Sequence, residues 1–68
     1  MKRDDLIRDL RRYARKNGLS FDLMKDKGKG SHYAVKIGDK LTTVQSGELD
    51  PVKVKRILTQ LGIAPSAL

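Results

Sequence analysis

The stretch Lys25-Asp26-Lys27-Gly28-Lys29-Gly30-Ser31-His32-Tyr33 sets the only histidine of the chain directly after a run of lysines and glycines. An imidazole with an unperturbed pKa of about 6.5 takes up and releases a proton near neutral pH. Lys25, Lys27 and Lys29 offer ammonium groups to an anion, and Gly28 and Gly30 leave the backbone free to adopt positive φ or bring amide N–H groups close to it. Ser31 adds a hydroxyl that can donate to a phosphate oxygen or cap the loop. A base beside such cations is suited to cutting RNA. The base strips the proton from a 2′-hydroxyl, the oxygen attacks the adjacent phosphorus, and the cations stabilise charge on the pentacoordinate centre. His32 is therefore the catalytic candidate, and Lys25, Lys27, Gly28, Lys29, Gly30 and Ser31 are the RNA-contact candidates. The plainer alternatives are a surface or half-buried histidine at a strand start and a solvated, flexible turn.

Other chemistries are poorly supplied. The chain has no cysteine and one histidine, so neither a thiolate nucleophile nor a dedicated zinc site is expected, and no cofactor or metal is called for. Asp22, Asp26 and Asp39 show no pairing suited to metal or glycosidase work. No apolar run is long enough to span a bilayer, and the basic N-terminus leads into a charged helical pattern where a signal peptide would have an apolar core. A soluble, cytoplasmic protein without membrane attachment is expected. Fifteen Lys and Arg against eight Asp and Glu leave +7 at neutral pH, which favours an anionic partner such as RNA or an acidic protein surface.

The elements that must hold His32 follow from periodicity. Residues 4–17 read as a helix with Leu6, Ile7, Leu10, Tyr13 and Ala14 on one face and Arg8, Arg11, Arg12, Arg15 and Lys16 opposite. That basic face is either solvated or a track for phosphates or an acidic partner. Asn17-Gly18 is its stop signal. Leu19, Phe21 and Leu23 alternate with Ser20, Asp22 and Met24, His32 to Ile37 alternates again, and Lys40 to Gln45 supplies a third strand. Gly38-Asp39 between the last two suits a two-residue type II′ turn. A strict two-residue turn places Leu41 on the face opposite Val35 and Ile37, whereas a bulge would bring it to the apolar face, so two registers stay open. Asp50-Pro51 opens a second helix with Val54, Ile57, Leu58 and Leu61 as its stripe, and Gly62 and Pro65 close it. The expected fold is α+β in the order α-β-β-β-α, a three-stranded antiparallel sheet with both helices on one face. Residues 1–63 form a single domain and 64–68 a flexible tail. The three aromatic residues, Tyr13, Phe21 and Tyr33, all have core positions open to them, which argues against recognition by base stacking.

Taken together, Lys27-Gly-Lys-Gly-Ser-His-Tyr33, then Thr42-Thr43-Val44, Glu48-Leu49 and Val54-Lys-Arg-Ile-Leu-Thr-Gln-Leu-Gly-Ile63 resemble the HicA toxin family in order and spacing. The resemblance covers nearly the whole chain, with Gln45 where many members have proline. It implies a double-stranded-RNA-binding-like fold and an mRNA interferase, an endoribonuclease that cuts transcripts. It also implies His32 as the catalytic residue and a HicB-family antitoxin as partner. Two other readings of the same residues are a non-catalytic RNA-binding module and a basic domain that docks an acidic protein.

Overall fold

The computed structural model describes residues 1–25 and 32–68. The elements are α1 (Arg3–Lys16), β1 (Phe21–Met24), β2 (Tyr33–Ile37), β3 (Lys40–Val44) and α2 (Pro51–Gln60), followed by a 3-10 turn at Pro65–Ala67. The order is the α-β-β-β-α expected from the sequence. The sheet runs β1-β2-β3, antiparallel throughout, with β2 in the centre. Among the described residues no helix is long and apolar enough to cross a membrane.

Each helix forms because its apolar residues recur on one side and its ends are satisfied. Leu6, Ile7, Leu10 and Ala14 of α1 are buried, and Asp4 and Asp5 in its first turn and Arg15 and Lys16 in its last complement the helix dipole. Asp50 caps α2 by accepting a hydrogen bond from the Lys53 N–H at 2.8 Å, with Pro51 in the first turn. The two C-termini use one bond pattern. Leu19 N–H donates to Ala14 C=O and Gly18 N–H to Arg15 C=O, while Ile63 N–H donates to Leu58 C=O and Gly62 N–H to Thr59 C=O. This closure requires a left-handed residue just past the helix, which Gly62 supplies at φ 72.

No side chain caps α1 at Lys2. The Arg3 N–H instead donates to the Gly47 carbonyl at 3.2 Å, and Leu49 N–H donates to the Met1 carbonyl at 2.7 Å. Lys2 pairs with Glu48 in an isolated antiparallel bridge. The Met1 α-ammonium group donates to the Glu48 carboxylate and, at 3.1 Å, to the Leu49 carbonyl. The first residues are thus laced to the loop that precedes α2.

The β2–β3 hairpin resolves the register. Gly38 has φ 61 and Asp39 does not take positive φ, the sign pattern of a type II′ turn. Ile37 pairs with Lys40, Lys36 with Leu41 and Val35 with Thr42, so the turn is strictly two residues and no bulge moves Leu41 inward. Leu41 is 59 % exposed on the open face, while Thr42 is 4 % exposed on the other. The buried Thr42 hydroxyl donates to the Gln60 side-chain carbonyl of α2, which satisfies a polar group that would otherwise be costly inside. Val35, Ile37 and Val44, all on that same sheet face, join Leu6, Leu10, Leu49, Ile57, Leu58, Leu61 and Ile63 in one buried cluster. Phe21, Leu23, Tyr33, Tyr13 and Val54 pack partly buried against it.

Leu10 is fully buried, so Leu10→Ala should cost about 2 to 5 kcal/mol, a large part of the stability of any small domain. Leu41→Ala should change stability by less than about 0.5 kcal/mol. Urea titrations of both variants test the register, and comparable losses would contradict it. A second expectation concerns Glu48, whose pKa lies below its ordinary value of 4.5, chiefly because the Met1 ammonium group bonds and attracts its carboxylate. A pKa depressed on folding stabilises the native state above the unfolded-chain value. That contribution fades as pH falls through the lower folded-state value. Glu48→Gln should remove this part of the acid-side decline in urea midpoint, and parallel pH curves for the two proteins would contradict the ion pair.

Candidate functional site at the Tyr33 end of the sheet

His32 lies immediately before β2, one residue outside the last ladder pair, Tyr33 with Val44. It is partly exposed, neither sealed in the core nor fully in solvent. Among the described residues no hydrogen bond or ion pair fixes its ring, and backbone position alone places it.

That position is set by pairing. In the β1–β2 ladder Met24 stands opposite Ala34, and one further step puts Lys25 opposite Tyr33. Lys25 Nζ stands 6.0 Å from the Tyr33 ring centroid. Lys25 and His32 therefore occupy the same end of the sheet, on adjoining rungs. Strand alternation assigns Lys25 and Tyr33 to the core face and position 32 to the open face of Ala34 and Lys36. Of the other RNA-contact candidates, Lys27, Gly28, Lys29, Gly30 and Ser31 lie outside the described residues.

Arg3 is the residue that sequence reasoning missed. Its Cζ sits 3.7 Å from the Tyr33 centroid, and its side chain is only 15 % exposed. A guanidinium stacks flat on an aromatic face, and a desolvated stack of this kind is worth about 2 kcal/mol. Its Nε, buried, is also 3.9 Å from the carboxylate of the exposed Asp4, a long and correspondingly weak pair. The missed signal is in the spacing. Arg3 precedes Leu6, Ile7 and Leu10 by three, four and seven residues, so it falls on the apolar stripe of α1. A charge at a stripe position must find a partner inside, and Tyr33 is that partner. Tyr33 was expected to serve packing over base stacking, and it does pack against the core, with the cation on its face.

The arrangement has a back and a front. Behind the sheet end, Arg3, Tyr33 and Lys25 form a cation–ring cluster that holds the start of β2. In front, position 32 presents an imidazole beside the lysine- and glycine-rich segment. Chemically this supplies an imidazole at the sheet end, directly after Lys-Gly-Lys-Gly-Ser in the sequence. Among the described residues no group of three or more His, Cys, Asp or Glu side chains could hold a metal ion. No family model matches the chain, and neither a curated protein nor a solved structure matches it.

Proposed function

We propose that the chain is an endoribonuclease that cuts mRNA, the toxin member of a toxin–antitoxin pair of the HicA kind, with His32 as its general acid/base. The observation that carries this reading is the position of the sole histidine. It is partly exposed at the open end of β2 and directly follows Lys-Gly-Lys-Gly-Ser. In the proposed reaction the neutral imidazole takes the proton of a ribose 2′-hydroxyl. The 2′-oxygen forms a bond to the adjacent phosphorus as the bond to the 5′-oxygen breaks. The departing oxygen takes up a proton from the site or from water, leaving a 2′,3′-cyclic phosphate and a 5′-hydroxyl. Removal of one such proton-transfer group typically costs about 10² to 10⁴-fold in rate. The +7 charge supports both an RNA substrate and an acidic HicB-family antitoxin as the protein that masks it.

The test uses purified protein, a long unstructured RNA and a chelator in the buffer. His32→Ala should abolish cleavage while leaving the fold and RNA affinity nearly intact. Cleavage at the parental rate would overturn the role of His32, and salt-sensitive binding without products from the parent protein would favour a non-catalytic RNA-binding module. The loop lysines give a separate expectation. Lys27→Ala and Lys29→Ala should each lower RNA affinity and reduce the slope of log affinity against log salt by about 0.7, the value for one phosphate of a single strand. An unchanged slope would remove those lysines from the interface.

A further inference from the structure

We infer that Arg3 is a positioning residue for His32, acting through the Tyr33 ring from the far side of the sheet. The inference rests on the reading of His32 as the proton-transfer group.

Three observations carry it. Tyr33 is the last β2 residue held by the ladder, paired with Val44, and His32 is joined to it by a single peptide bond. Where Tyr33 is held, the Cα of His32 is held. Arg3 covers the Tyr33 ring at 3.7 Å, the distance of close atomic contact, and so blocks the ring from moving toward the core. Arg3 is itself anchored, since its N–H is bonded to Gly47 and the residue before it is bridged to Glu48. The helix N-terminus, the loop before α2 and the start of β2 thus meet in one stack.

Its burial also defines what Arg3 does not do. A side chain 15 % exposed on the core side offers little surface to a phosphate bound at the open face. Its effect on catalysis should therefore appear in the placement of the base and not in substrate affinity. Errors of about 1 Å in such placement cost as much as about 100-fold in rate.

The lone histidine makes the test direct, because its two ring C–H groups are the protein's only imidazole signals in a carbon–proton NMR spectrum. Arg3→Met keeps length and loses the plane and the charge. It should shift or broaden the His32 signal and lower kcat for RNA cleavage by between about 10 and about 100-fold, with KM within about twofold. Val52→Ala, on the exposed side of α2, should leave signal and kcat near parental. Should Arg3→Met not fold, Arg3→Lys carries the same test, with a smaller shift and a smaller loss of kcat. A folded Arg3 variant with an unmoved His32 signal and parental kcat would overturn the inference and leave the nuclease reading standing. A rise in KM alone would also overturn it, making Arg3 a phosphate ligand. If the parent protein cuts no RNA but Arg3→Met still displaces the His32 signal, the positioning role stands and the nuclease reading falls.

Discussion

The structure depends on one constraint: a chain of 68 residues must bury the apolar stripes of two helices with a single three-stranded sheet. A domain this small hides only about 60 % of the surface of its unfolded chain, and its one buried cluster joins both helices to Val35, Ile37 and Val44. Leu6, Leu10, Val35 and Val44 are the fully buried centre of the one face it covers. Everything on the other face is what remains, including Leu41 and Lys36. The candidate site lies at the end of that sheet, where the covered and uncovered faces share one strand. Adjacent residues at the start of β2 thus serve different sides, Tyr33 within the strand the core and His32 just before it the open side.

Charge is distributed with the same economy. Arg8 lies 3.7 Å from Asp5 and 3.6 Å from Asp9, exposed pairs that contribute little stability but temper the local potential. Arg11 stands over Phe21 at 5.3 Å, and Arg3 over Tyr33. Part of the excess positive charge is therefore spent on aromatic faces along the seam between α1 and the sheet. Arg12, Arg15 and Lys16 are exposed near the C-terminal end of α1 and sustain the field there.

The elements were readable wherever the signal was local. The stripe of α1, the Asp50-Pro51 start of α2, the glycine stops and the Gly38-Asp39 turn each rest on residues within a few positions of one another. The register around Leu41 was not readable. Two registers fitted the local pattern, and the choice turns on Thr42 meeting Gln60 and on burial of Val44, both consequences of tertiary packing. Within the site, the position of His32 at the mouth of β2 followed from alternation. Arg3 did not, because its partner is thirty positions away and helix patterning treats an arginine as a solvent residue. Lys27 and Lys29 were legible only as composition, and they lie outside the described residues.

The backbone bond between Arg3 and Gly47 has a further consequence for how the molecule loosens. First-turn amides of a helix ordinarily lack a partner, so helices fray readily from that end. Here that amide is tied to a residue far along the chain, and the Lys2–Glu48 bridge adds a second tie. The first turn of α1, which backs the start of β2, is therefore opened only together with the loop that precedes α2.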